Sequence, residues 1–160
     1  MSLETDIELL RQVPTFDILN GEALRILAIS SEQKDLAAGE TLFKTGEAAD
    51  CGYVLASGLL HLVEEDKDGT QHLLQEVRPG ALVGELSLIL ANARPSTAVA
   101  VRRSTVLRLP RTTFLRTLEG FPEAALRLRK AFAARLEQTM DELAQVRLRL
   151  ENEGLGKPRR

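Results

Sequence analysis

Glu85 and Arg94 are two oppositely charged side chains in one short segment that could together hold a small ligand. An ionised glutamate only accepts hydrogen bonds, so Glu85 suits a sugar hydroxyl and not a bare phosphate. Arg94 has the opposite preference, because its guanidinium donates two parallel hydrogen bonds to phosphate oxygens and keeps its charge at physiological pH. The pair predicts a ligand that carries both a hydroxyl and a phosphate.

The residues around this pair add two features to the predicted site. Gly84 has no Cβ, so a ligand or a tight turn can approach the backbone there. We expect one docked helical turn, with its first N–H groups unpaired and the N–H of Ser87 among them, to attract an anion. That turn should bury most of the apolar run Leu86, Leu88, Ile89 and Leu90. One alternative stays open, since Glu85 and Arg94 could simply form a surface ion pair.

The composition is that of an ordinary soluble domain. The chain has 160 residues, of which 44% are hydrophobic and 28% charged, and this length allows a single domain with a proper core. The net charge of −2 argues against a protein that coats nucleic acid. Residues 102–135 nevertheless carry nine Lys or Arg against two acidic residues, which indicates a solvated basic surface or an acidic partner.

Cysteine content and the N-terminal residues bear on the compartment. Cys51 is the only cysteine, so an intrachain disulfide is impossible, and we interpret it as a packing residue. The first residues lack the basic and apolar regions of a signal peptide, and no apolar run reaches membrane-spanning length. We therefore expect a cytoplasmic protein without a membrane partner.

Glycine spacing divides the chain into parts. Residues 1–33 form an N-terminal helical segment, with amphipathic helices at 4–13 and 21–32. Residues 34–110 alternate short apolar runs with glycines, a pattern typical of an all-β barrel or double-sheet jelly roll. Residues 111–151 are helical again, and residues 152–160 form a basic, flexible tail to which we assign no role.

The turn sequence Asp-Lys-Asp-Gly at 66–69 predicts a β-hairpin. His61 and His72, the only histidines, lie on its two arms and could face each other. A metal ion would need a third ligand, and none is evident. We therefore expect neither a metal site nor a metal-dependent enzyme with a jelly-roll fold.

The long helical segment from Pro122 to about residue 151 carries a coiled-coil seam, with spacings of four and three residues. The seam consists of Phe132, Leu136, Thr139, Leu143, Val146 and Leu150. Its first half could pack on the β domain. Its second half predicts a homodimer through this helix.

Segment 84–97, Gly-Glu-Leu-Ser-Leu-Ile-Leu-Ala-Asn-Ala-Arg-Pro-Ser-Thr, resembles the phosphate-binding cassette of the cyclic nucleotide-binding domain family. This family includes the bacterial cAMP receptor protein and the regulatory subunit of protein kinase A. Further family landmarks follow in order, namely Gly39-Glu40, Gly46-Glu47, Ser57-Gly58, Asp68-Gly69 and Pro79-Gly80. The resemblance implies a mainly β fold with flanking helices: the family's β-roll, a double-stranded β-helix or jelly roll, with N-terminal helices and a long C-terminal helix.

The resemblance also implies cAMP or cGMP as the ligand, without a metal. The implied ligand-binding residues are Gly84, Glu85, Leu86, Ser87, Arg94, Pro95, Ser96, Thr97 and Thr139. Thr139 would touch the base, whereas Met140 replaces a serine that reaches the base from the other subunit in the family. Several members that prefer cGMP carry threonine at the position of Pro95, so proline there favours cAMP.

Pro95 is the clearest departure from the cassette pattern. The residue after the arginine usually donates its backbone N–H to the phosphate, and proline has none. Losing such a charge-assisted hydrogen bond costs about 1.5–3 kcal/mol. The hydroxyl of Ser96 or that of Thr97 could replace it.

Taken with the resemblance, these residues predict a non-catalytic cyclic-nucleotide sensor that signals through its C-terminal helix and an unknown protein partner. Bacterial relatives add a helix-turn-helix domain, but only ten residues follow Leu150, so we expect no direct sequence-specific DNA binding. An enzyme is not expected, because no nucleophile with a base and no acid pair can be assembled. The alternative is a nucleotide-independent dimerisation or interaction module with a degenerate pocket.

Overall fold

The computed structural model describes residues 2–152, with the side chains at positions 135, 136 and 139 excepted. The chain divides into two compact units, and the boundary lies between Phe121 and Pro122. This boundary falls inside segment 111–151, which the sequence pattern groups as one helical region. Each unit is described by itself.

The N-terminal helices begin at side-chain caps. Helix α1 spans Leu3–Arg11 and helix α2 spans Gly21–Ser30, with a 3-10 helix at Pro14–Ile18 between them. The side chains of Ser2 and Asn20 accept hydrogen bonds from backbone N–H groups of the first turns, as expected of N-caps. Helix α2 ends at Ser30, earlier than the predicted residue 32, because Glu32 already pairs with Arg108 in a sheet.

Ten short strands follow the helices. They are β1 (Glu32–Leu36), β2 (Thr41–Phe43), β3 (Ala48–Ala49), β4 (Cys51–Ser57), β5 (Leu60–Glu65), β6 (Gln71–Val77), β7 (Leu82–Val83), β8 (Asn92–Ala93), β9 (Thr97–Ala100) and β10 (Ser104–Pro110). They pair antiparallel in two four-stranded sheets, β1-β10-β4-β7 and β2-β9-β5-β6, and in one short pair, β3-β8. The predicted β-roll with flanking helices is confirmed.

One hydrophobic cluster holds the roll together. Its members come from both four-stranded sheets, and they include Leu36, Phe43, Tyr53, Leu55, Leu60, Val77, Ala98 and Val106. Alternate residues of the strands point inward, so short strands still bury a large apolar area. Burial of each large side chain contributes about 1.5–3 kcal/mol relative to exposure.

The hairpin between β5 and β6 forms where the turn sequence predicts it. Gly69 takes a positive φ of 87°, and the carboxylate of Asp66 accepts hydrogen bonds from the N–H groups of Asp68 and Thr70. The prediction that His61 and His72 could face each other is wrong. His61 lies opposite Glu76 and His72 opposite Glu64, because an antiparallel hairpin pairs residues at similar distances from its turn and His61 is farther from the turn at 66–69 than His72. Within residues 2–152, no group of three His, Cys, Asp or Glu could hold a metal ion.

Two helices complete the described chain. Helix α3 spans Arg111–Glu119 and belongs to the first unit, whereas α4 spans Pro122–Asn152 in the second. Pro122 occupies the first turn of α4, where a missing N–H costs nothing. Along α4 several apolar side chains are exposed, namely Leu126, Met140, Leu143, Val146, Leu148 and Leu150. Among the described residues, every helix is too short or too polar to cross a membrane.

Candidate functional site

A cavity of about 230 Å³ lies between the roll and segment 84–96. Its apolar lining comes from Phe43, Leu62, Val83, Leu86 and Pro95, and its remaining lining from Gly84, Glu85, Ser87, Asn92, Arg94 and Ser96. This volume lies just below the range of about 300–1,000 Å³ that is usual for small-molecule sites. An apolar cavity with a few convergent polar groups is the usual form of a ligand site.

Arg94 is the only positively charged side chain in this lining, and it is only 5% exposed. Its Nη2 donates to the carbonyl oxygen of Cys51 at 2.8 Å and lies 3.3 Å from the Cys51 thiol. Its Nη1 lies 3.4 Å from the Ser87 hydroxyl. The guanidinium also lies 4.4 Å from the ring centre of Phe43 and 5.5 Å from that of Tyr53.

These partners stabilise the guanidinium without neutralising it. A carbonyl, a thiol, a hydroxyl and two aromatic rings are all uncharged, and a buried charge without a counter-ion is costly. Contacts with the faces of the two rings recover part of that cost. The surface ion pair that the sequence left open is therefore wrong for Arg94, because the side chain is buried and its contacts are internal. The arginine end of the cavity has the charge and the donors that suit an anion.

Gly84 is required at its position for two reasons. Its φ of 79° lies in the left-handed region, which side chains with a Cβ adopt at a cost. In addition, a Cβ at this position would collide with Nη1 of Arg94. The glycine therefore provides the space that the guanidinium occupies.

Glu85 begins a short 3-10 helix that spans Glu85–Leu88. The side chain is half-buried, and its Oε1 accepts a hydrogen bond of 2.6 Å from the hydroxyl of Thr15. Thr15 belongs to the 3-10 helix at Pro14–Ile18, seventy positions earlier in the chain. Sequence reasoning missed Thr15, because nothing local to it signals a contact with the cassette.

The turn after Glu85 differs from the prediction in two respects. The N–H of Ser87 donates to Gly84 O at 3.0 Å, so it is not one of the unpaired donors that the sequence predicts. The expectation that the turn buries most of its apolar run is also wrong, since Leu88 is buried but Leu86 is 50% and Leu90 56% exposed. Leu90 N–H donates to Leu86 O, and residues four apart lie on the same side of a helical turn, here the outer side.

The structure brings most of the predicted site residues together. Those that line the cavity are Gly84, Glu85, Leu86, Ser87, Arg94, Pro95 and Ser96. Thr97 is not in this lining, and its hydroxyl lies 3.0 Å from Thr45 N and 3.1 Å from the Thr45 hydroxyl. The side chain of Thr139 lies outside the described residues. Phe43, Leu62, Val83 and Asn92 line the cavity although sequence reasoning did not select them.

A comparison with protein families decides the relationship. Residues 33–120, which include every strand after the first residue of β1, match the family model of the cyclic nucleotide-binding domain. The chain belongs to the cyclic nucleotide-binding domain family.

Solved structures agree with this family. The N-terminal domain of a transcriptional regulator from Streptomyces coelicolor A3(2) is 35% identical and has a TM-score of 0.78, covering 84% of this chain and 94% of that one. The regulatory domain of Toxoplasma gondii PKA, crystallised with cAMP, is 28% identical with a TM-score of 0.67. That match covers 72% of this chain and 44% of the other.

Among curated relatives, lysophospholipase nte1 of Neurospora crassa is 31% identical over 111 residues, which is 69% of this chain. The chain spans only 7% of the length of that relative. The likeness therefore concerns one domain of a much larger protein.

Within this cyclic nucleotide-binding domain, the arginine end of the cavity is a low-polarity environment. Burial raises the pKa of Tyr53 to about 12, and the nearby Cys51 acts in the same direction, whereas the charge of Arg94 opposes the rise. Partial burial acts to raise the pKa of Asp50, but Arg108 and a hydrogen bond to Cys51 outweigh it and lower that pKa. Arg108 lies 3.3 Å from Asp50, so the acid next to Cys51 in sequence pairs with Arg108.

Proposed function

We propose that this chain is a non-catalytic regulatory domain that binds a cyclic nucleotide, with cAMP preferred over cGMP. The observation that supports it most directly is the buried guanidinium of Arg94, which lines a cavity and whose contacts with the described residues are with uncharged groups. A cyclic phosphate carries one negative charge and offers oxygen acceptors that match this guanidinium. Binding would supply a counter-ion that the described part of the chain does not place there.

The rest of the cavity fits the other parts of such a ligand. Glu85 lies at the same cavity and accepts hydrogen bonds, so it would hold a ribose hydroxyl. Phe43, Leu62 and Val83 give the apolar surface on which a sugar and part of a base would rest. Because about 230 Å³ is small, we infer that the cavity takes the phosphate and the ribose and that the base extends beyond it.

The preference for cAMP rests on Pro95. In the family resemblance, a threonine at this position reaches the guanine in several cGMP-preferring members, and proline has no hydroxyl to do so. A contact between Thr139 and the base belongs to the same proposal. Relative affinities for cAMP and cGMP test it, and equal or reversed affinities would reject it.

The output that we propose is a rearrangement of α4 in a homodimer, passed to an unknown protein partner in the cytoplasm, without direct DNA binding. The seam residues Leu143, Val146 and Leu150 are exposed along α4, and their spacing is that of a coiled coil. Sedimentation velocity tests the dimer, and a monomer at every concentration would reject it. Hydrogen exchange along α4 with and without nucleotide tests the rearrangement.

A calorimetric titration with cAMP and cGMP tests the binding proposal directly. We expect binding to the unmodified protein and at least a 100-fold loss in Arg94→Ala, because a bidentate charge-assisted contact and the only charge on the ligand are left without a partner. Arg11→Ala is the matched control, since this exposed arginine contacts Glu8 on α1 and is not part of the lining.

The titration also separates the two functions that the sequence left open. Binding that survives in Arg94→Ala at unchanged affinity would contradict the role of the guanidinium. No binding at millimolar nucleotide would reject the sensor and favour the nucleotide-independent interaction module.

A further inference from the structure

Pro95 leaves the phosphate end of this site with one backbone donor fewer than the cassette pattern provides. Proline has no N–H, and its ring forms part of the cavity lining beside Arg94. A phosphate oxygen that lost this donor would need another, because an unmatched charged acceptor in a confined site is costly. The hydroxyl groups of neighbouring residues are the candidates to replace the missing N–H donor of Pro95.

Ser96 has the placement that a replacement donor needs. It is 6% exposed, and it lines the cavity together with Gly84, Ser87 and Arg94. Its hydroxyl makes no hydrogen bond to any residue that the structure describes. The Ser96 hydroxyl is not fully enclosed either. In the described part of the chain, Asp6 Oδ1 is the only fully enclosed side-chain N or O atom that lacks a hydrogen-bond partner, so an unpaired Ser96 hydroxyl must have some exposed surface. A ligand in the cavity that Ser96 lines can therefore provide a partner for its hydroxyl.

The two other hydroxyls near the cassette are already engaged. Thr97 lies outside the lining, and its oxygen is within hydrogen-bond distance of both the N–H and the hydroxyl of Thr45. Ser87 donates its hydroxyl to Asn92 Oδ1 at 2.8 Å and faces Arg94 Nη1 with the same oxygen. A hydroxyl has a single proton, so Ser87 would have to give up Asn92 before it could donate to a ligand.

We propose that the Ser96 hydroxyl donates a hydrogen bond to an exocyclic phosphate oxygen of the bound cyclic nucleotide, in place of the amide that Pro95 lacks. This inference rests on the proposed function. Arg94 and Ser96 then act on the same phosphate from two sides of Pro95. The fixed φ of proline limits the conformations of the segment between them, which lowers the entropic cost of holding both donors in place.

Four proteins in calorimetric titrations with cAMP test the proposal: the unmodified chain, Ser96→Ala, Pro95→Ala and the double variant. Ser96→Ala removes only the hydroxyl and keeps the backbone N–H of residue 96. We expect its affinity to fall about 10-fold, as for a lost charge-assisted hydrogen bond. Pro95→Ala restores an amide donor, so the same serine change should cost less than about 3-fold in that background.

Thr117→Val provides a matched control. Thr117 is also 6% exposed, but its hydroxyl donates to Thr113 O within α3 and it is absent from the cavity lining. This variant loses a buried hydroxyl without losing a ligand donor. We expect its affinity for cAMP to stay within about 2-fold of the unmodified protein.

The two phosphorothioate diastereomers of cAMP give a readout that a purely structural role would not change. Each has sulfur, a weaker acceptor, at one of the two exocyclic positions. If Ser96 donates to one oxygen, the unmodified protein should discriminate between the diastereomers, and Ser96→Ala should shift their affinity ratio by at least about 3-fold.

The outcomes are distinguishable. A loss in Ser96→Ala, its attenuation by Pro95→Ala and the shifted diastereomer ratio would together support the proposal. An affinity within about 2-fold in Ser96→Ala would overturn it while the proposed function stands, and so would a loss with an unchanged ratio. No binding of cAMP by the unmodified chain would reject the proposed function, and this inference with it.

Discussion

The two charged ends of the cavity are built in different ways. At one end Arg94 is buried and is held by groups of the roll itself, namely the carbonyl and thiol of Cys51 and the rings of Phe43 and Tyr53. At the other end Glu85 is half-buried and accepts a hydrogen bond from Thr15, which lies before the roll begins. One charge depends on the strands, and the other also on the N-terminal helical segment.

The surroundings of the two charged side chains should differ in rigidity. The guanidinium contacts Cys51 and Tyr53 on β4, a central strand that pairs with β10 on one side and β7 on the other, so we expect its position to be set before any ligand arrives. The carboxylate is tied to a short 3-10 helix, an element that makes few backbone hydrogen bonds and opens more easily than a sheet. We therefore expect the arginine end of the cavity to be the more rigid one, whereas the glutamate end is linked to an element that can respond.

Gly84→Ala should disrupt the rigid end and have the largest effect among the changes that leave both charged side chains in place. The new Cβ would occupy the space of Arg94 Nη1, and alanine would also be strained at a φ of 79°. We expect cAMP affinity to fall at least 30-fold, since the guanidinium must leave its position. Calorimetric titration measures the loss.

Gly39→Ala separates the collision from the backbone strain. Gly39 has nearly the same φ, 85°, but nothing lies within 4 Å of where its Cβ would be. This variant should lose about 1 kcal/mol of stability and retain its affinity. Equal losses of affinity in both variants would show that strain, and not the displaced guanidinium, accounts for the effect.

Thr15→Val should affect only the other end. Valine has almost the shape of threonine but cannot donate a hydrogen bond to Glu85, so we expect the free energy of unfolding to fall by about 1 kcal/mol. Urea denaturation measures this change.

Double-mutant cycles show whether the two ends are independent. Combined with Arg94→Ala, the cost of Thr15→Val should be additive to within about 0.5 kcal/mol; combined with Glu85→Ala, it should largely disappear. Strong coupling between Thr15 and Arg94 would refute the separation of the two ends.

What the sequence could predict follows the same division. The spacing of Gly84, Glu85 and Arg94 lies within one short segment, and turn glycines mark the strands around it, so the cassette and the roll were both predictable from local signals. Contacts between residues far apart in the sequence have no such local signal. The site gains Thr15, Phe43 and the Cys51 carbonyl only when the chain folds.

Register and turn type account for the errors. His61 is farther from the hairpin turn than His72, so the two lie opposite Glu76 and Glu64 and not opposite each other, and an alternating apolar pattern does not show this register. For the short turn after Glu85, the sequence predicts an ordinary helical turn that buries most of its apolar residues. Because only four residues form the 3-10 helix, the Ser87 N–H is used internally and Leu86 lies outside.

The smallest expected effect is on stability at alkaline pH, through the ionisation of Tyr53. The pKa of Tyr53 also measures most directly whether water reaches the arginine end of the cavity. Its pKa of about 12 in the folded protein lies above the ordinary value of 10.0, chiefly because burial disfavours the phenolate. The stability that this contributes is complete below pH 10 and is lost as the pH rises towards 12. Stability at neutral pH is unaffected.

Tyr53 is the only tyrosine and the chain has no tryptophan, so phenolate absorbance follows this side chain alone. We expect the native protein to titrate near pH 12 and the urea-unfolded chain near pH 10. Tyr53→Phe should remove this part of the alkaline loss of stability. In Arg94→Ala the native pKa should rise further, because the cation that lowers it is gone. A native pKa near 10 would mean that water reaches the Arg94 end, and the contrast between a rigid arginine end that excludes water and a more mobile glutamate end would no longer hold.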